Sequence, residues 1–173
     1  DFNEKLYLFQ SYNFQSMYEI IISNQNRYVF VPIMFSLKDS NIGHATVIII
    51  DKIDMTIKFF DSNGLTKGYI NSDIVDTFLK YYFNIFNITF NETYKYIKQK
   101  DWIKKKYTLN SSSLSNNTIQ SGHCMIFTLL IAHLLSKEIN TLDEIIIELS
   151  KMTKDELLDF VMGYTERAIE NLN

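Results

Sequence analysis

Two short apolar runs flank a polar turn: His44–Ile50 (HATVIII), then Asp51-Lys52-Ile53-Asp54, then Met55–Phe60 (MTIKFF). β-Branched and aromatic residues dominate both runs, so the segment predicts two antiparallel strands joined by a tight connection. A hairpin constrains the chain more than any other local feature here, because it assigns every side chain in it to one face or the other. Tyr28–Phe35 (YVFVPIMF) predicts a further buried strand, with Pro32 placing it near an edge or a bulge.

The remaining elements follow from periodicity and caps. Leu6–Ser23 predicts a helix. Another follows Ser72-Asp73, with Ile74, Val75, Phe78, Leu79 and Tyr82 on one face. A short strand is expected near Thr93–Ile97, and Asn110–Asn117 (NSSSLSNN) has the composition of a loop. Cys124 to about Ser136 predicts a helix buried on most sides. Thr141-Leu142-Asp143-Glu144 and Thr153-Lys154-Asp155-Glu156 match the capping box, so each opens a helix, the last running to about Ile169. The sum is an α+β fold: a small mixed or antiparallel sheet in the first half, flanked by helices that cluster at the end.

Length and composition narrow the function. At 173 residues and 46% hydrophobic, residues 1–173 are expected to form a single globular domain. A net charge of −3 argues against a nucleic-acid partner. One cysteine forms no internal disulfide, which favours a reducing compartment and a cytoplasmic location. The longest apolar run, Cys124–Leu135, contains His133 and falls short of the ~20 residues a bilayer span needs, so no membrane partner is expected. The four N-x-S/T matches starting at Asn87, Asn91, Asn110 and Asn116 carry no weight in a chain this rich in Asn and Thr.

The candidate chemistry joins the hairpin to the apolar helix. With the turn centred between Lys52 and Ile53, His44 lies directly opposite Asp61 and on the same face, at the open end of the two strands. A carboxylate beside an imidazole fixes its tautomer and stabilises the imidazolium. The second ring nitrogen then serves a nucleophile. Cys124, in the stretch QSGHCMIF, follows Gly122 and opens the apolar helix. A thiol at a helix N-terminus is acidified by the dipole and by backbone N–H groups, and an imidazolium acidifies it further. The same N–H groups suit an oxyanion, and the Gln120 side chain could add one more donor.

The order His…Asp…Gln…Cys resembles the ubiquitin-like-protein proteases, a clan of cysteine proteases (clan CE) that includes SUMO proteases, adenovirus-type viral proteases and bacterial effector deubiquitinases. Three features carry the resemblance: His44 starting the strand GHATVIIID, Asp61 17 residues later in FFDSNG, and Cys124 opening QSGHCMIFTLLIAHLL. The resemblance implies that His44 is the general base, Asp61 its orienter, Cys124 the nucleophile and Gln120 the oxyanion donor. It implies a cysteine-protease fold, no cofactor and no metal. It further implies a protein substrate, ubiquitin or a ubiquitin-like modifier, cut after its C-terminal Gly-Gly, and the host cytosol as the location if the chain is a pathogen effector. The chain departs from the family pattern at Ala45, where Trp is usual, at His123 and Met125, which flank the cysteine in place of Asp and Gly, and at Thr118, which stands where the family glutamine is usual.

Other readings share these residues. A cysteine before an apolar helix is by itself a common packing residue. An effector acetyltransferase uses a similar triad with a CoA cofactor, though no clear phosphate-binding loop is visible. A viral polyprotein protease and a binding-only pseudoenzyme are further alternatives. His133 is expected on the helix face opposite Cys124, His123 is expected to point elsewhere, and the sparse Cys/His set does not suit zinc. Trp102, within the basic stretch Lys98–Lys106, is expected to anchor a solvated face.

Overall fold

The computed structural model describes residues 6–8, 14–37, 43–62, 72–102 and 123–170. It has an α+β architecture built on one five-stranded sheet with its strands in chain order. β1 (Leu6–Leu8), β2 (Tyr28–Leu37), β3 (Gly43–Asp51) and β4 (Thr56–Phe60) run antiparallel, and β5 (Lys95–Ile97) lies parallel to β4. The parallel step requires a crossover, which contains α2 (Ser72–Phe90). The sheet is therefore mixed.

β3 is buried from His44 to Asp51, because helices cover both of its faces. Ile48, Ile50, Ile57 and Phe59 pack against α1 (Phe14–Ser23) and α2, which contribute Met17, Ile21, Val75, Leu79, Phe83 and Phe86. Val47, Ile49 and Phe60 pack on the opposite face against α4 (His123–Ser136), α5 (Leu142–Lys151) and α6 (Lys154–Glu170). Trp102, the last residue of the short helix α3 (Gln99–Trp102), joins this second core. It is buried rather than an anchor on a solvated face, and Lys58 Nζ sits 5.6 Å from the centre of its ring. Among the described residues no helix is long and apolar enough to cross a membrane.

The predicted helix over Leu6–Ser23 begins only at Phe14; Leu6–Leu8 instead pairs with Phe35–Leu37. A three-residue strand is too short to show a period, and its partner is remote in sequence. Nor do the helices cluster at the chain's end, since α1 and α2 pack on one face of the sheet. On α2 the buried face runs through Val75, Leu79, Phe83 and Phe86, while Ile74 and Phe78 are exposed. The helix is apolar on more than one side, so its sequence period does not single out the inward face. Pro32 pairs with Val47 on a stretch of β2 that β1 does not reach, so among the described residues it lies at the sheet's edge, as expected. Both capping boxes form: Thr141 Oγ1 and Thr153 Oγ1 each accept from a backbone N–H three residues on, at 3.3 Å. Glu144 and Glu156 each accept the cap N–H in return, at 2.8 Å.

The β3–β4 turn is as long as the one expected but lies one residue further along the chain, centred between Ile53 and Asp54. Val47 pairs with Phe60 and Asp51 with Thr56, leaving Lys52–Met55 as a four-residue loop that ends with Met55 at φ 50°. Asp51 shapes it. Its carboxylate accepts the N–H groups of Ile53 at 3.0 Å and Asp54 at 3.1 Å, and Arg27 donates to it from Nη2 at 2.6 Å. Burial opposes ionisation of Asp51, but Arg27 and the turn N–H groups outweigh it and hold its pKa below the ordinary value. Asp51→Ala is expected to lower stability at pH 7 by about 2 kcal/mol, part of the loss being screened at the quarter-exposed Arg27. A depressed carboxyl stabilises the fold above its unfolded pKa and ceases to as pH falls through the folded one. Urea titrations should therefore show wild type and variant converging in acid; equal stability at pH 7 would remove the clamp.

Candidate active site

His44 is the second residue of β3, and Asp61 directly follows β4. The observed register sets Asp61 level with Thr46, two residues from His44. The direct opposition predicted for His44 and Asp61 is thus a diagonal one. A shift of two residues preserves the face of every side chain, whereas a shift of one would have reversed it. Diagonal neighbours remain within reach of long side chains. His44 Nε2 and Asp61 Oδ1 are 2.7 Å apart, and both side chains are nine-tenths buried.

Cys124 is the second residue of α4, at the helix start that the sequence predicts. The β3–β4 ladder ends at Val47 and Phe60, so the N–H of Ala45 lies beyond it. That N–H donates to Cys124 Sγ at 3.3 Å. This places the thiol beside His44, and the two side chains shift each other's pKa. Nε2 of the His44 ring faces Asp61. A buried carboxylate, an imidazole and a half-buried thiol thus meet at the end of β3.

The two ionisations move toward each other. Burial works against a charged His44, but its bonds to Asp61 and Cys124 prevail and raise its pKa to about 9. Burial also opposes the thiolate, yet the His44 bond and the N–H groups of Ala45 and Met125 lower the Cys124 pKa. Both shifts act in favour of the imidazolium–thiolate pair.

Gln120 and Gly122 lie outside the described residues, as does the Asn110–Asn117 loop. His133 is exposed on α4, with its ring edge-on to Tyr164 at 5.6 Å, and takes no part in the site. A cavity of about 580 Å³ lined by Tyr28, Phe30 and His133 lies near the other end of α4, roughly 14 Å along the helix from Cys124.

Beneath Asp61 lies a polar cluster that the sequence reading missed. Gln99 Nε2 donates to the Asp61 carbonyl at 3.2 Å. The Gln99 N–H donates to Asp76 Oδ1 at 3.4 Å, and the Tyr96 hydroxyl donates to the same oxygen at 2.7 Å. Asp76 offered one signal: a carboxylate among the buried apolar residues of α2, which calls for partners. Burial raises its pKa against those two bonds. Gln99 offered no signal, because its partners come from distant segments.

No family model, curated protein or solved structure matches the chain.

Proposed function

We propose that the chain is a cysteine peptidase or isopeptidase of the ubiquitin-like-protein protease type, acting after the C-terminal Gly-Gly of ubiquitin or a related modifier. The observation that carries the reading is the meeting of Asp61, His44 and Cys124, with Asp61 bonded to the His44 ring and the Cys124 sulfur on the N–H of the next residue, Ala45. The order of these residues along the chain and the helix-opening position of the cysteine support it further. A Gly-Gly tail suits a thiol that is only half-exposed, since it has no side chains to admit.

In this mechanism the Cys124 thiolate attacks the carbonyl carbon, and the carbonyl π electrons move to oxygen. Backbone N–H groups in the first turn of α4, which lack intrahelical acceptors, are suited to that oxyanion. On collapse the C–N bond breaks, and the leaving amine takes the Nδ1 proton of His44. Water then adds to the thioester as His44 takes its proton. The sulfur departs, and the product carboxylate and the ion pair are restored. Asp61 holds the ring and stabilises its charged form throughout.

C-terminal electrophilic probes built from ubiquitin, SUMO and NEDD8 test the proposal. The ubiquitin probe should label wild type in a one-to-one adduct that Cys124→Ala abolishes. A protein labelled by none of the three, while its thiol still reacts with iodoacetamide at pH 6, would lose the modifier-protease assignment and keep only the activated cysteine.

A further inference from the structure

Asp61 stands where regular structure stops. β4 ends at Phe60, and its parallel pairing with β5 ends earlier, at Lys58 opposite Ile97. Continuing that register would bring Gln99 level with Phe60, but at Gln99 the chain has turned into α3. The side-chain amide of Gln99 takes over from the missing ladder by donating to the Asp61 carbonyl. Reversing the amide would set oxygen against oxygen, which fixes its orientation.

Gln99 has no solvent exposure, and its Oε1 has no hydrogen-bond partner among the described residues. A buried amide satisfied on only one side is unfavourable at a core position that an apolar residue of similar volume could fill. Its stake in the fold is the Asp61 bond. The amide is itself held, since its backbone N–H is fixed by Asp76 and Asp76 by the Tyr96 hydroxyl. α2, β5 and α3 thus converge on a single carbonyl.

We propose that Gln99 is a positioning residue that holds the Asp61 backbone so that its carboxylate meets His44 Nε2, with Asp76 and Tyr96 as its mount. The proposal rests on the His44–Asp61–Cys124 reading above and adds a fourth side chain to it. Gln99→Met keeps the volume and removes the donor. Asp61 then drifts, the imidazolium loses part of its partner, and the thiol becomes less acidic.

The test is the pH dependence of Cys124 alkylation by iodoacetamide, which requires no protein substrate. Gln99→Met should move the midpoint upward by about half a unit to one unit, a three- to tenfold loss of thiolate on the low-pH limb. Ile146→Ala, a core truncation in α5, serves as the stability control; it should lower the melting temperature and leave the midpoint in place. If Gln99→Met does not fold, Gln99→Asn, whose amide falls one methylene short of the carbonyl, should give the same shift. A low wild-type midpoint that the Gln99 variant leaves unmoved overturns the positioning role alone. An ordinary thiol midpoint in wild type overturns the ion pair and this role together.

Discussion

Replacing His44 with alanine is expected to lower turnover of a ubiquitin C-terminal amide roughly 10²–10⁴-fold, while slowing simple alkylation of Cys124 at pH 6 only about tenfold. The two losses differ because the imidazole has two duties. Alkylation needs only a thiolate, and its supply shrinks when the charge partner is gone. The less acidic thiol left behind is intrinsically more nucleophilic, with a Brønsted slope of about 0.4–0.5, which returns part of the rate. Turnover also needs a proton for the leaving amine, and nothing replaces the His44 donor. In wild type, turnover should rise through the lowered Cys124 pKa, as the ion pair forms. It should fall again near pH 9, as His44 loses the proton it must donate. Asp61→Asn should reduce turnover less than His44→Ala does, because the ring remains and loses only its partner charge. Equal losses in alkylation and turnover for His44→Ala would make the histidine a mere charge neighbour of the thiol. Unchanged turnover would move the base to another residue.

The hairpin was legible in the sequence because its information is local. Strand composition and a charged connection mark it, and the relation between His44 and Asp61 depends on parity rather than on the turn's exact width. Moving the turn by one residue changed the register by two and left the shared face intact. The capping boxes were legible for the same reason, as each is a closed exchange of hydrogen bonds within four residues. The layer assignment was not legible. α2 is apolar on more than one side, and only the sheet it packs against decides that Leu79 and Phe83 go inward while Ile74 and Phe78 do not. The mount beneath Asp61 was invisible for a related reason. Asp76, Tyr96 and Gln99 lie on separate elements, and none has meaning until β5 settles beside β4.

Truncating Phe86 to alanine should be the most damaging single change to the fold, at about 4 kcal/mol. Its ring has no solvent exposure. It packs against Phe14 and Tyr18 of α1, Phe83 and Phe90 of α2, and Tyr94 just before β5, with centroid separations from 5.0 to 6.5 Å. Aromatic neighbours are rigid and refill a gap poorly, so most of the cavity should persist in the variant. A loss of that size approaches the whole stability of a marginal domain, which is about 5–15 kcal/mol. Urea denaturation should show a midpoint falling in proportion, with an unchanged slope. Phe86→Leu, which keeps most of the volume, should recover more than half of the loss. The site lies at the far end of the same packing, because α2 also carries Asp76. While the variant remains folded, its Cys124 alkylation midpoint should therefore stay within a few tenths of a unit of wild type, since truncation at Phe86 removes no bond in the path from Asp76 through Gln99 to Asp61. A stability loss under about 1 kcal/mol would mean that the aromatic cluster closes over the gap and that α1 and α2 are not locked onto the sheet by this ring.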